Sequence, residues 1–435
     1  MIKKLLSNNV KEFTMLRQIL LFVLITTKLA VGQYNLDYFT SRAIENSPLL
    51  KEYKNLQTVN QIQKKINSSQ NSSFQVSLTG NYLFTPYFNN HGDLITTDPS
   101  PEAIGYDINI FDGGLYSAQL NVEQNLFNGK LMGALNSQVE IQDKYYQYQL
   151  ILERHNLEKE ITDQYLNTLQ FLRLIQLSQE VATNLDEQLK LSRMMVEKGF
   201  TKTQDYLLLK IESKNLTVYT SEAKQLYRNS LFQLYNLCGI QDTTLVEIQP
   251  VKLSTFKAMP TSNFIKKYEL DSLMTVNQQL LFETKYRPQL LAFFNTGVNA
   301  VEMQNIQQKF GMSAGLNLAL SLYDGNQKHL TRQQNLINQK IINDYRLFFE
   351  NNISLQRKNL ESRIDSLQKN IDVLTEQIQD YQTLLEISAK QLEQGNISMI
   401  DHLVLWRNFI NLRKNTIDLE VKYQLEINNY NYWNW

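Results

Sequence analysis

The run from Asn326 to Gln394 holds neither Pro nor Gly and carries apolar residues at heptad spacing. Leu360, Ile364, Leu367, Ile371, Leu374, Ile378, Tyr381 and Leu385 alternate steps of four and three, which places them on one narrow seam of a helix that must face another helix. At 1.5 Å per residue, roughly 70 residues reach on the order of 100 Å, far beyond the ~10–14 residue helix of an ordinary globular domain. A helix of that length needs partners along its whole course. Taken alone, the run reads as a structural rod; a second run of the same kind makes more of it.

That second run extends from Lys130 to Lys198, without Pro and with only Gly133 near its start. Its seam is less regular: Leu157, Ile161, Tyr165, Leu172 and Ile175 continue through Gln179 and Ala182 to Leu189. Gly199 breaks it, a further helical segment covers Thr203 to Cys238, and an irregular stretch with Pro250 and Pro260 follows. Ahead of the run, Val76, Leu78, Gly80, Tyr82 and Phe84 alternate with polar residues, as do Ala118, Leu120, Val122 and Leu126, with Gln124 interrupting the apolar face. Period-two alternation predicts two-faced strands. Between them, Thr85 to Tyr116 is rich in Pro and Gly and its charges are all acidic, so a long exposed loop is expected there.

The plan then repeats. Strands are expected over Leu290 to Val298 and, with the cleanest alternation, over Met312, Ala314, Leu316, Leu318, Leu320 and Leu322. Gly325 follows Gly129, Gly395 follows Gly199 and Asp401 follows Asp205 by the same 196 positions (325 − 129, 395 − 199, 401 − 205). An internal duplication without a gap is much harder to reach by chance than one heptad run. It divides the chain into a leader (1–32), a first repeat (33–238; strands 74–84 and 117–127, helical hairpin 130–238), a linker (239–262) and a second repeat (263–435; strands 289–300 and 311–323, hairpin 326–432).

The leader reads as a secretory signal: Lys3, Lys4, Lys11 and Arg17 precede the apolar run Ile19 to Ile25, and Ala30-Val31-Gly32 offers a small-residue cleavage site, with Met15 an alternative start. With 43 basic and 43 acidic residues the chain gives no electrostatic case for nucleic acid. Its single Cys238 excludes an intrachain disulfide and reads as a core residue. His155, His329 and His402 lack a second ligand at helical spacing, so no metal or other cofactor is expected. No Ser-His-Asp set, phosphate loop or carboxylate pair supports an enzyme. The aromatic stretch Tyr430 to Trp435 either packs at a helix end or serves assembly.

Four strands with one apolar face have the patterning of membrane-spanning strands, yet four cannot close, and open edges in hydrocarbon cost several kcal/mol per unpaired backbone group. Two chains would give about eight strands and a filled interior, whereas three would give about twelve and leave a lumen. A homotrimer embedded in membrane lipid is therefore the expected duct. A periplasmic coiled-coil adaptor or scaffold is the alternative, and it leaves the alternating strands unexplained; a substrate-specific porin is disfavoured by the helix content.

Leu126-Phe127-Asn128-Gly129 and Leu322-Tyr323-Asp324-Gly325 after the strands, with Gly199/Asp205 and Gly395/Asp401 at the hairpin turns, resemble the TolC family of outer-membrane efflux proteins, over essentially the whole chain from Gln33 to Trp435. The resemblance implies a mainly α fold with a transmembrane β part: a twelve-strand trimeric barrel in the outer membrane of a Gram-negative bacterium, with most of the mass in a periplasmic helical tunnel. It implies export of small toxic compounds or secreted polypeptides, with a periplasmic adaptor docking at the hairpin tips and linking the duct to an inner-membrane pump. Carried onto this sequence, Gly199, Thr201, Asp205, Gly395, Ser398 and Asp401 form the adaptor-docking tips. Phe127, Asn128, Gly129, Tyr323, Asp324 and Gly325 form the strand-to-helix turns. Asp401 matches the first of two aspartates that ring the closed periplasmic entrance, and Val404 stands at the second, so one acidic ring is expected. From the residues alone, Asp205 and Asp401 serve equally well as helix caps.

Overall fold

A computed structural model describes residues 34–90, 93–96, 104–105, 116–199, 202–257, 259, 261–300 and 305–435. The expected leader and Thr201 lie outside them. In chain order the elements are α1 (Leu36–Asn46), α2 (Pro48–Ser72), β1 (Gln75–Tyr82), β2 (Tyr87–Asn90), β3 (Asp93–Thr96), β4 (Tyr116–Asn125), α3 (Gly129–Glu197), α4 (Thr203–Leu237), α5 (Lys266–Glu283), β5 (Gln289–Ala300), β6 (Phe310–Ala319), α6 (Gln327–Glu393) and α7 (Met399–Trp433). They assemble two compact units, each drawing on both halves of the sequence.

One unit combines Ile151–Phe264, Asn351–Trp435 and the described part of Met1–Lys51. Here the α6 seam is plain: Leu360, Ile364 and Leu385 are buried, Leu367, Ile371, Leu374, Ile378 and Tyr381 are half-buried, and every residue between them is exposed. Leu360 and Ile364 pack on Ile427 and Tyr430 of the antiparallel α7. The α3 seam departs from the sequence reading. Gln179 and Ala182 are exposed, and the apolar stripe shifts to Leu177, Val181, Leu185 and Leu189. The physical reason is a change of partner: Ile161, Tyr165, Leu172 and Ile175 pack with Phe39 of α1 and Leu231 and Leu234 of α4, whereas Leu177, Val181 and Leu185 pack with Leu209 of α4 and Leu403 of α7. Cys238 is fully buried in the first of these clusters, and burial pushes its thiol up to about 12, so it is a core residue and not a nucleophile.

The stretch after α4 has no regular secondary structure, yet it is an ordered strap. Tyr227 and Tyr235 donate their hydroxyls to the carbonyls of Val246 (2.5 Å) and Thr244 (2.8 Å), and Tyr165 donates to Gln249 (2.6 Å). Further along, α7 supplies side-chain acceptors that the strap would find in a neighbouring strand. Gln424 accepts from the Leu253 amide (2.6 Å), Asn431 from Phe256 (2.8 Å) and Asn434 from Met259 (3.0 Å). Asn431 also donates to Ser254 (2.9 Å), and Asn434 to Phe256 (3.1 Å) and Lys257 (2.9 Å). Gln424 and Asn431 lie seven residues apart on one face of α7 and Asn434 caps its end, so one stripe running to the helix end satisfies the strap's backbone. Because Asn431 and Asn434 are buried, Asn434→Ala and Asn431→Ala strand those amides and carbonyls, and each is expected to cost about 1–3 kcal/mol. Thermal unfolding of the purified protein checks this; an unchanged midpoint for both variants would mean the strap is held by its apolar contacts.

The terminal aromatics pack at a helix end. His155 of α3 stacks on Tyr432 (4.8 Å between centroids) and on Trp435 (4.5 Å), Phe264 fills the edge, and the Asn263 amide donates to the Trp435 backbone oxygen (2.9 Å).

The other unit, Glu52–Leu150 and Ile265–Glu350, contains the sheet. Amide side chains tie its helices together: Asn60 of α2 donates to Val139 (2.7 Å), Asn277 of α5 to Ala134 (3.2 Å), and Gln339 of α6 to Ser272 (2.9 Å). The four long strands are all antiparallel, in the order β1-β4-β5-β6. β2 and β3 pair separately as a short ribbon within the segment expected to be a loop, where Phe88 also bonds Ile104. Leu320 and Leu322, read from sequence as part of the fourth strand, lie beyond its end at Ala319.

Candidate functional site

The register gives the sheet two unlike faces. Across the four strands, the rows Val76–Val122–Phe294–Ala314, Leu78–Leu120–Thr296–Met312 and Gly80–Ala118–Val298–Phe310 bring even-numbered residues together. The rows Ser77–Asn121–Asn295–Ser313 and Thr79–Gln119–Gly297–Gly311 lie on the other face. One face is therefore largely apolar, and in the single chain its outer strands are exposed: Leu78 by 77%, Met312 by 76%, Leu316 by 67%. Its polar exceptions are satisfied locally, since Thr296 donates to the Gly311 carbonyl (3.2 Å) and Gln124 to that of Ser72 (3.2 Å). Ten-residue strands at ~3.3 Å per residue, tilted by ~45°, span about the 25 Å apolar band of an outer-membrane barrel. Exposed aromatics flank the sheet, Tyr82 and Phe310 at one end and, beyond the strands, Phe127 and Tyr323 at the other, where amphipathic rings are favoured at a membrane surface.

The strand-to-helix turns hold the corners. Asn128 donates to the Asn71 carbonyl at the end of α2, and Asp324 accepts from the Tyr286 hydroxyl (2.5 Å) just after α5 and from the Lys328 amide (2.7 Å). These positions correspond in the two repeats, and in both the turn residue ties a strand's exit to a strand's entry. The Tyr286 hydrogen bond holds the Asp324 carboxyl below the usual carboxylate range, and the same bond pushes Tyr286 up to about 12. Gly325 adopts φ +65 and Asn326 φ +68, the left-handed geometry the second turn needs, whereas Gly129 is already the first residue of α3.

At the hairpin tips the repeats match bond for bond. Gly199 (φ +76) donates to Val196 and Gly395 (φ +74) to Leu392, both at 3.0 Å, as glycines ending a helix in the left-handed conformation do. The returning helices then differ. Ser398 caps α7 through a reciprocal box: its hydroxyl accepts from the Asp401 amide (3.2 Å), and the Asp401 carboxylate accepts from the Ser398 amide (3.3 Å) and hydroxyl (2.6 Å). At the equivalent position in the first repeat Lys202 makes no side-chain cap, and Asp205 bonds the Lys202 carbonyl only through its backbone amide (3.0 Å). Arg407 bonds Glu212 of α4 (2.7 Å), so it is not the partner of Asp401. The S/T-x-x-D spacing from Ser398 to Asp401 was the available signal for the box. Among the described residues no cluster of three or more His, Cys, Asp and Glu could hold a metal, and no helix is long and apolar enough to cross a membrane.

No protein-family model and no curated protein matches the sequence. Solved structures do match the fold. CusC, described in terms of transmembrane channel formation, superposes with a TM-score of 0.69 at 13% identity, over 93% of this chain and 92% of that one. The outer membrane protein VceC of Vibrio cholerae gives 0.67 at 12% identity over 92% and 96%. The open state of the outer membrane channel MtrE of Neisseria gonorrhoeae gives 0.64 at 12% identity over 92% and 88%. This is the TolC-like fold. Within this fold, the duplicated strand pairs form the β part and the two helical hairpins the α part.

Proposed function

We propose that this chain is an outer-membrane channel-tunnel, a homotrimer whose three sheets close into one twelve-stranded barrel and which exports small toxic compounds or secreted polypeptides. The single observation that carries this reading is the largely apolar face of the sheet, exposed along its outer strands, on a chain with no described helix able to cross a membrane. Among the described residues the outer strands β1 and β6 each have one unpaired side, and pairing between copies satisfies backbone groups that hydrocarbon cannot. Likeness to CusC, VceC and MtrE supports the outer membrane of a Gram-negative cell as the location, with the helical hairpins in the periplasm. The tips around Gly199, Thr201 and Asp205 and around Gly395, Ser398 and Asp401 would meet a periplasmic adaptor. Energy then comes from an inner-membrane pump through that adaptor. A scaffold that never enters a membrane would leave Leu78, Met312 and Leu316 in water. Purified protein added to planar bilayers should give discrete conductance steps, and a preparation that never conducts would overturn the reading.

Asp401 is the residue proposed to help hold the entrance shut. Its capping role complicates an alanine test, because losing the box costs about 0.5–2 kcal/mol of helix stability by itself. Asp401→Gln keeps an acceptor at that helix position and removes the charge. Both Asp401→Ala and Asp401→Gln should raise single-channel conductance over wild type, and Asp205→Ala should change it less. Conductance raised by Ala and not by Gln would leave Asp401 as a cap alone.

A further inference from the structure

We infer that the buried His402–Ser388 pair is a proton-sensitive latch between α6 and α7, so that acidification loosens the second hairpin tip and favours the open tunnel. The inference deepens the channel reading and rests on it. His402 is 2% exposed and Ser388 3% exposed, on facing helices, one residue beyond the Asp401 cap and about two turns before Gly395 respectively. His402 Nδ1 lies 2.8 Å from Ser388 Oγ, and Ser388 Oγ donates to the Leu385 carbonyl at 2.9 Å. A hydroxyl has one proton, and here it goes to Leu385. Nδ1 therefore carries the hydrogen and Oγ accepts it, which leaves Nε2 as the nitrogen a second proton would take. That proton would place a charge and a new N–H donor on a side chain only 2% exposed, next to Leu403, which packs with Leu209 and Leu185.

The charged groups around the pair offer no compensation. On its own helix Asp401 is engaged by Ser398 and Arg407 by Glu212; on α6, Glu386 and Lys390 flank Ser388 and point to solvent; Asp205 stands in the first turn of α4, and Glu197 ends α3. Burial is the whole cause of the lowered proton affinity of His402. The sign follows. In the packed tip His402 titrates below its ordinary value of 6.5, and in a loosened tip it returns toward that value. Below about pH 6.5 the loosened state binds more protons, so the packed tip loses stability as pH falls and is unaffected above it. Each protomer can contribute up to about a tenfold shift per pH unit until the packed-state value is passed.

The test is the open fraction of single channels between about pH 7.5 and 5.0, for wild type, His402→Asn and Ser388→Ala. Asn keeps a donor near the Nδ1 position and cannot take the proton. Wild type should open progressively below about pH 6.5, and His402→Asn should match it at pH 7.5 and stay flat. Ser388→Ala, which removes the acceptor, should already open more at neutral pH. A second readout is independent of conduction: the fluorescence of Trp406, one turn along α7, in a Trp433→Phe/Trp435→Phe background, should change with the same pH midpoint and lose that change in His402→Asn. A His402→Asn protein with the wild-type pH profile in both readouts would overturn the latch. Absence of any conductance, with the fluorescence transition intact, would instead strike the channel reading.

Discussion

Leu316→Arg should abolish insertion of the protein into the outer membrane, while Asn317→Arg, its neighbour on β6, should assemble. The two residues lie on opposite faces: Leu316 is opposite Ala292 on the apolar face, and Asn317 is opposite Leu291 on the other. β6 runs from Phe310 to Ala319, so Leu316 lies well inside the strand and Leu318 close to its end. Arginine on the lipid side costs roughly 2–4 kcal/mol at the midplane and about 0–1 near the interface, so Leu318→Arg should be the milder change although Leu318 is as exposed as Leu316. In a trimer the midplane cost is incurred three times. The check is the yield of assembled protein in the outer-membrane fraction. Normal yield for Leu316→Arg together with loss for Asn317→Arg would mean that the two faces have been assigned the wrong way round.

Gly297→Ala should be nearly as damaging, for a reason internal to the sheet. Gly297 adopts φ +151, and a Cβ there would stand 2.1 Å from the Ala118 carbonyl oxygen and 2.7 Å from the Gln119 Cα, both backbone atoms of β4 that cannot swing aside. The backbone strain costs about 1–3 kcal/mol. Forcing the strands apart adds about another 1–3, since it breaks the ladder at the centre of the sheet. Gly311, paired with Gly297 on β6, is the natural control, because nothing lies within 4 Å of a Cβ added there. Gly311→Ala should therefore fold and assemble normally. Trimer yield and thermal unfolding check both, and equal behaviour of the two variants would show that the β4–β5 approach relaxes.

Most of the architecture is legible in the chain because it rests on periodicity. Step-two alternation from Met312 to Leu318 and step-three-and-four alternation from Leu360 to Leu385 are direct consequences of strand and helix geometry, and both appear as burial or face patterns at those residues. The helix-ending glycines were equally readable, since Gly199 and Gly395 recur at a fixed interval and both occupy φ that other residues avoid. What escaped depends on partners distant in sequence. The α3 stripe shifts near Leu177 because α7 replaces α1 as a neighbour, and no local pattern announces that exchange. The strap after α4 looks like an unstructured linker because, apart from those of Tyr227 and Tyr235, its hydrogen bonds go to Tyr165, Gln424, Asn431 and Asn434, side chains 84 or more residues away. The short β2–β3 ribbon escaped because four-residue strands among prolines and glycines carry too few alternations to register. At the tips, the sequence left Asp401 between cap and gate; its bonds to Ser398 establish the cap, and the variants above address the gate.

Three copies of this chain, pooling their strands, are expected to make one duct. Native mass spectrometry of the protein extracted in mild detergent from outer membranes counts the copies. A complex of three chains is the expected result, twelve strands being the smallest closure that leaves a lumen among the options two or three copies allow. A monomer, or a dimer with its eight strands and filled interior, would contradict it.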